Sequence, residues 1–271
     1  MEILNNLIII KIFVFVFGLF IGSFLNACIY RLPLNLSVSN PKRSFCPICK
    51  NQIKFYDNIP ILSYIFLKGK CRVCKAKISF RYPFIELLTG LMAICVFSKY
   101  YISVESLIYF GFIASLIVVI FIDIDYQIIP DEISLSGIVL GFSISFLSFF
   151  LDKNILIISP KESFLGILIG GGILWAIAQG YYLLKKQEGM GGGDIKLLAM
   201  IGAFLGVKGV LFTVFISSLT GTLIGIIIML CQKKDLKFAV PFGPFLSIGA
   251  ISYVFFGENL IDFYLQFNSK M

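Results

Sequence analysis

The fold is decided by an apolar stretch near the start of the chain, LIIIKIFVFVFGLFIGSFLNACIY, which runs from Leu7 to Tyr30. Its 24 residues include one charged side chain, Lys11. A helix of about 20 apolar residues crosses the hydrocarbon core of a bilayer, so this stretch predicts a transmembrane helix. The whole chain of 271 residues is similar in character, with 58% hydrophobic residues, 14% charged residues and a mean hydropathy of +0.95. Because a water-soluble domain cannot cover that much apolar surface, the sequence predicts an integral membrane protein.

Further apolar segments extend this pattern and predict an all-α polytopic membrane protein with about eight transmembrane segments. The sixth segment is short, and is either a half-span or continuous with the seventh across a break near Gly206. The eight segments are Leu7–Tyr30, Tyr82–Tyr100, Ser106–Ile122, Ile133–Leu151, Phe164–Leu184, Ile195–Gly206, Gly209–Cys231 and Val240–Phe256.

The first large loop carries most of the positive charge and predicts the orientation. From Arg31 to Arg81, eleven cations accompany a single acid, Asp57. Basic loops beside membrane spans lie on the cytoplasmic side, which places the N-terminus outside and the ends of the third, fifth and seventh segments inside. The net charge of +8 therefore indicates anionic lipid headgroups as the partner. Nucleic acid is the weaker alternative.

Four cysteines in the basic loop predict a metal site. They form two Cys-x-x-Cys pairs with 21 residues between them: Cys46, Cys49, Cys71 and Cys74. Two such turns can direct four thiolates at one point, the tetrahedral arrangement that structural Zn²⁺ prefers. Disulfides or two redox pairs are the alternative, but a cytoplasmic loop is kept reducing. The sequence predicts a small cytoplasmic zinc-binding loop domain.

Acids at the ends of the apolar segments are the candidates for chemistry, because the chain contains no histidine. Asp123 directly follows the third segment. Asp125 lies two residues further on, at about 200° around a helix, so the two carboxylates point to roughly opposite sides. Asp131 follows Pro130 and has helix capping as its simpler explanation.

A second candidate, Asp194, follows a glycine-rich stretch at the start of the sixth segment. Four of the five residues from Gly189 to Gly193 are glycine, which lets the backbone bend and another peptide approach closely. Helix capping is again the simpler alternative for Asp194. However, the charge argument brings Asp123 and Asp194 to the same membrane surface on different segments. Two carboxylates that share one proton can activate water and protonate a peptide carbonyl, so the pair predicts an aspartyl protease.

Several motifs together resemble those of the bacterial type IV prepilin leader peptidases, a family of membrane aspartyl proteases with a GxGD element. The similarity extends over nearly the whole chain. The motifs are Gly22–Pro33, Cys46–Lys50, Asn58–Tyr64, Gly69–Cys74, Arg81–Leu88, Ile122–Asp131, Gly191–Lys196 and Pro241–Phe245.

The resemblance implies a bacterial inner-membrane enzyme that cuts type IV prepilins and pseudopilins after a glycine on the cytoplasmic face. It places the catalytic roles on Asp123 and Asp194. Family members with the four-cysteine loop usually also N-methylate the new N-terminal residue from S-adenosylmethionine, and no glycine-rich methyl-donor motif appears in this chain. The resulting organisation is residues 1–30 as the first span, 31–81 as the zinc loop and 82–271 as the peptidase core.

Other residues are candidates for binding the substrate. The leader removed by such enzymes is basic, so acids near the dyad are expected to receive its cations. Gly191 and Gly193 would let the peptide approach. Glu86, one turn into the second segment, is expected either to pair with Arg81 or to help position the pilin terminus for methyl transfer. The acids near the dyad are Asp125, Asp131, Glu132 and Glu188.

Two other functions remain open at this point. One is a peptidase whose zinc loop is purely structural and which does not methylate. The other is a proton-coupled transporter with intramembrane carboxylates, which predicts acids near the middle of the bilayer rather than at segment ends.

Overall fold

A computed structural model describes residues 2–40, 43–150, 158–186, 191–232, 241–257 and 259–261. Within these ranges the protein is helical and has no strand, only isolated β-bridges. The helices are α1 (Glu2–Arg31), α2 (Leu62–Phe66), α3 (Arg81–Tyr100), α4 (Val104–Tyr126), α5 (Asp131–Phe150), α6 (Pro160–Lys185), α7 (Gly192–Gln232) and α8 (Gly243–Ser252). A π-helical turn, Tyr253–Gly257, follows α8. Except at their ends, helices satisfy their backbone hydrogen bonds within one segment, which lipid requires.

Among the described residues, six helices are long and apolar enough to cross a membrane: α1 and α3 to α7. The sequence predicts about eight segments, and the difference has two sources. The sixth and seventh segments form the single helix α7, broken at Gly206, where φ is 67°. This confirms the prediction of a continuous segment with a break near that glycine. The eighth segment corresponds to the shorter apolar helix Gly243–Gly257.

The chain forms two compact units, Met1–Val118 and Val119–Met271. In the first unit, small residues let α1 and α3 approach closely. A Cβ added at Gly18 would lie 2.8 Å from the Cα of Gly90, and one added at Gly22 would lie 2.7 Å from the Cα of Glu86. Helices in lipid associate through such van der Waals contact, because lipid tails are as apolar as the side chains. This packing fixes the position of Glu86.

In the second unit, α7 packs against α5, α6 and α8. The backbones of α6 and α7 meet at Gly166 and Gly202, where a Cβ on either residue would collide with the carbonyl of the other. The hydroxyl of Ser163 donates to the carbonyl of Ala203 at 2.8 Å. Together these contacts hold α7, whose first turn carries Asp194, in one position against α6.

The loop between α1 and α3 is built from short turns. Two antiparallel bridges, Phe45↔Gln52 and Lys70↔Lys77, each close a tight turn that contains one cysteine pair. The buried guanidinium of Arg31, the last residue of α1, donates to the carbonyl of Val38 at 2.7 Å. Such a short segment has little core of its own, which is why a metal site is expected to stabilise it.

Candidate functional site

Asp123 is a buried carboxylate near the end of α4, with 5% of its surface exposed. Its Oδ2 accepts a hydrogen bond of 2.9 Å from the backbone N–H of Gly243. Gly243 begins α8, where the first N–H groups have no partner within the helix and favour a negative charge. A Cβ added at Gly243 would lie 2.7 Å from the same Oδ2, so only glycine permits this approach.

Asp194 lies in the first turn of α7 and is partly buried. Its carboxyl group is close enough to Asp123 for the two charges to interact. The structure thus brings together the two acids that the sequence singles out, from the end of α4 and the start of α7. Their catalytic role stays a prediction. Asp123 is buried and Asp194 is partly buried, so both carboxyl groups have restricted access to water.

Ile129 fixes the spacing of the helix ends around the two acids. A Cβ added at Gly193 would lie 3.0 Å from the Cβ of Ile129, and one added at Gly243 would lie 3.2 Å from its Cδ1. The starts of α7 and α8 therefore pack against one side chain from the segment that follows α4. Gly191, in contrast, is exposed, and a Cβ there would meet no atom within 4 Å.

The other acids near the pair differ in their surroundings. Asp125 and Glu132 are exposed, in contrast to the buried Asp123. Asp131 begins α5, and both its carboxylate oxygens accept hydrogen bonds from Nζ of Lys196, at 2.7 and 2.8 Å. This ion pair joins the first turns of α5 and α7. Glu188 lies outside the described residues.

Sequence reasoning missed the role of Gly243. The motif Pro241–Phe245 contributes to the family resemblance, but its pattern indicates only the entry of a helix. Asp123 and Gly243 are 120 positions apart. A glycine beside a proline at a helix start is only a weak indication of a functional contact. No residue near Gly243 in the sequence identifies Asp123 as its hydrogen-bond partner.

The four cysteines of the basic loop form one cluster. The Sγ atoms of Cys46, Cys49, Cys71 and Cys74 all lie within 4.8 Å of one another, so the cluster could hold a metal ion. The Sγ atoms of Cys46 and Cys74 are 3.8 Å apart. Four sulfurs about 2.3 Å from a central zinc form a tetrahedron with edges of about 3.8 Å, so the donor set and its size fit Zn²⁺.

Backbone N–H groups within the two turns favour thiolates. The N–H of Asn51 lowers the pKa of Cys49 to about 7, and that of Cys74 lowers the pKa of Cys71. The Ala76 N–H also favours the thiolate of Cys74, but desolvation and the neighbouring thiols raise the pKa of Cys74 to about 11. Four thiols this close cannot all ionise unless a cation balances their charge, as a bound metal would.

The only acid of the basic loop, Asp57, supports the second cysteine turn. Its carboxylate accepts two hydrogen bonds from Arg72, at 2.8 Å from Nε and 2.6 Å from a terminal nitrogen. Arg72 lies between Cys71 and Cys74, and it holds the pKa of Asp57 below its usual value. This bidentate pair fixes the turn against the helical turn Phe55–Asn58.

Glu86 is a buried carboxylate near the start of α3, with 8% of its surface exposed. Its Oε2 accepts a hydrogen bond of 2.8 Å from the backbone N–H of Ile61, and it also interacts with the Ser23 hydroxyl. Ile61 has a φ of 59°, which a β-branched residue rarely adopts. The partners of Glu86 are therefore a strained peptide group and a hydroxyl, not Arg81.

Comparison with known proteins gives consistent matches over both units. Residues 16–100 match the bacterial peptidase A24 N-terminal domain, and residues 110–226 match the type IV leader peptidase family. The chain is 38% identical to a protein of Neisseria gonorrhoeae, over 90% of this chain and 89% of the relative. It is 37% identical to one of Bacillus subtilis strain 168 (93% and 96%) and 32% identical to one of Legionella pneumophila (93% and 93%). All three are named prepilin leader peptidase/N-methyltransferase. No solved structure matches the chain.

Proposed function

Because the chain belongs to the type IV leader peptidase family, we propose that Asp123 and Asp194 form an aspartyl dyad that removes the leader of type IV prepilins and pseudopilins. The cut follows a glycine and takes place at the cytoplasmic face. The observation that carries this proposal is geometric: Gly193, which precedes Asp194, and Gly243, whose N–H bonds Asp123, both lie against the side chain of Ile129. One of the two acids is buried and the other partly buried. Their position at helix ends disfavours the proton-coupled transporter.

The hydrogen bond from Gly243 supports different roles for the two acids. An N–H that donates to Oδ2 stabilises the carboxylate of Asp123, so the negative charge of the pair is better held there. Asp194 then carries the shared proton. Asp123 accepts a proton from the attacking water while Asp194 protonates the oxygen of the scissile carbonyl. The tetrahedral intermediate then collapses as Asp123 gives its proton to the leaving amine and Asp194 takes back the proton of the intermediate's hydroxyl.

Acids at this end of the helices are proposed to receive the basic leader. Asp125 and Glu132 are exposed, and Asp131 binds a cation of its own chain, Lys196. A leader lysine would therefore compete with Lys196 for Asp131. Glu188 is proposed for the same role from the sequence alone. Gly191 and Gly193 are proposed to let the peptide pass close to the backbone.

We also propose a second activity, N-methylation of the residue exposed by the cut, with S-adenosylmethionine as methyl donor. The names of the relatives and the four-cysteine loop support it. The cysteines are proposed to hold one structural Zn²⁺. The enzyme is proposed to lie in the bacterial inner membrane with its N-terminus outside. Its proposed organisation is a first span (residues 1–30), a zinc loop (31–81) and a peptidase core (82–271).

Mass spectrometry of a co-expressed pilin tests both activities. The wild type is expected to yield a pilin that lacks its leader and carries one added methyl group. Asp123→Asn and Asp194→Asn should each lower cleavage by about 10³-fold or more. Asp125→Asn should keep its turnover at saturating substrate, with any change confined to KM. Near-normal cleavage by either dyad variant contradicts the mechanism, and a cut but unmethylated product supports the peptidase-only alternative.

A further inference from the structure

The short helix α2, in the loop between α1 and α3, carries an exposed apolar face. Leu62, Ile65 and Phe66 have 52%, 61% and 80% of their surface exposed. Their spacing of i, i+3 and i+4 places the three side chains within about 100° of arc on one side of the helix. We call these three side chains the α2 face. Large apolar side chains that share an exposed face indicate a surface that contacts a partner.

Hydrogen bonds on the inner side of α2 fix the direction of this face. The buried hydroxyl of Ser63 donates to the carbonyl of Tyr56 at 3.0 Å and accepts the N–H of Ile59 at 3.0 Å. The first of these bonds joins α2 to the helical turn Phe55–Asn58. The α2 face therefore cannot turn inward while Ser63 keeps both bonds.

Two contacts at the start of α3 show the depth of α2 relative to that membrane-spanning helix. With 20 residues, α3 is about 30 Å long and matches the thickness of the hydrocarbon core. The N–H of Ile61, directly before α2, donates to Glu86, which lies about 7.5 Å along α3 from its first residue. The ring of Tyr64 meets that of Phe80, the residue before α3, with centroids 6.3 Å apart. Helix α2 therefore lies beside the first turns of the span, at the boundary between headgroups and acyl chains.

Two lysines follow the α2 face and add positive charge at its edge. Lys68 and Lys70 are exposed, and within the described ranges neither forms an ion pair. The N–H of Gly69 donates to the carbonyl of Tyr64 at 2.9 Å, so the chain turns back at the end of α2 and keeps both lysines beside it. Apolar side chains that enter the bilayer, next to lysines that stay at its surface, are typical of an interfacial helix that binds anionic lipid.

We propose that the α2 face enters the acyl-chain boundary of the membrane while Lys68 and Lys70 bind the phosphate groups of anionic lipids. Depth and charge favour lipid over a soluble protein or a second copy of the chain. The face lies level with the first turns of α3, and the charge beside it is opposite to that of anionic headgroups. The cysteine loop is then held along the membrane surface at a third point, in addition to its ends at α1 and α3.

Fluorescence quenching by lipid tests the apolar half of this proposal. The chain contains one tryptophan, Trp175 on α6, so a variant with Trp175→Phe and Phe66→Trp reports from the α2 face alone. The purified full-length variant is reconstituted into vesicles of phosphatidylcholine and phosphatidylglycerol, with or without bromine near the carbonyl end of the acyl chains. Brominated lipid should remove at least about half of the emission, and iodide in the water should remove much less. Phe13→Trp in the same background, at an exposed position within α1, is the positive control for quenching by lipid.

The other outcomes of this measurement overturn the proposal. Quenching by iodide but not by brominated lipid would place the α2 face in water. Quenching by neither would show that protein covers the face, as a second copy of the chain would. Leu62→Trp in the Trp175→Phe background reads the same face from its other end, so the test does not depend on the folding of one variant.

Bromine on only one of the two lipids tests the charge half. At equal mole fractions, brominated phosphatidylglycerol should quench the Phe66→Trp variant at least about twofold more than brominated phosphatidylcholine. The difference should shrink in about 0.5 M salt. Lys68→Gln combined with Lys70→Gln should remove the difference, whereas the matched change of both lysines to arginine should keep it. Equal quenching by the two lipids, or an unchanged preference in the glutamine variant, contradicts the proposal.

None of these measurements uses cleavage or methylation of a pilin. They therefore test the α2 face independently of the proposed function.

Discussion

The substitution Gly243→Ala isolates the contact between Asp123 and the start of α8. The added Cβ would lie 2.7 Å from Oδ2 of Asp123 and 3.2 Å from its Cγ. Carbon and oxygen do not approach to 2.7 Å without a bond, so the carboxylate must move by several tenths of an ångström. That movement lengthens or breaks the hydrogen bond of 2.9 Å from the Gly243 N–H.

The magnitude follows from the loss of one hydrogen bond to a charged group, about 1.5–3 kcal/mol. If this energy stabilises the reacting form of the dyad, kcat falls by about 10- to 160-fold. Alanine favours a helix over glycine by about 0.5–1 kcal/mol, which offsets part of the strain in the folded protein. The variant should therefore accumulate in the membrane and turn over slowly.

Cleavage of a purified pilin at saturating concentration, by enzyme normalised for folded protein, provides the assay. Gly225→Ala is the control, because a Cβ at this α7 position meets no atom within 4 Å. It should keep kcat within about twofold of the wild type. If Gly243→Ala also turns over at that rate, the Asp123–Gly243 contact does not position the catalytic carboxylate.

Two further predictions concern the glycine motif and the metal. Gly193→Ala should lower kcat by about three- to tenfold, because the added Cβ presses on Ile129. Gly192→Ala is the control, because a Cβ there meets no atom within 4 Å and kcat should be unchanged. Equal kcat values for the two variants in a cleavage assay would contradict the packing against Ile129. The wild type should retain about one zinc ion per chain during dialysis against a chelator. The Cys46→Ser variant should lose most of its zinc, because three thiolates bind the ion more weakly than four. Elemental analysis measures this, and equal zinc content in both proteins would exclude Cys46 as a ligand.

Features that depend on nearby residues can be predicted from the sequence. The cysteine cluster is one, because each pair lies in a turn of four residues and only the meeting of two turns needs the fold. The burial of Asp123 and the exposure of Asp125 are another, because they follow from their angle around one helix. The break at Gly206 is a third.

Contacts between residues that are distant in the sequence cannot be predicted from local sequence patterns. Asp131 and Lys196 are 65 positions apart, and Glu86 and Ile61 are 25 apart. Such pairs are fixed by how helices cross, which depends on the small-residue contacts between them. Arg81 is the cation nearest to Glu86 along the chain, but five positions place the two side chains about 140° apart around a helix, so nearness in sequence does not identify the partner.

The position of Ile129 against both Gly193 and Gly243 has a consequence for how this family can vary. A side chain at either glycine would press on the same residue, Ile129, so substitutions at the three positions are expected to be epistatic rather than additive. Among homologous sequences these three positions are expected to covary, even though only their neighbours, Asp123 and Asp194, carry the proposed chemistry.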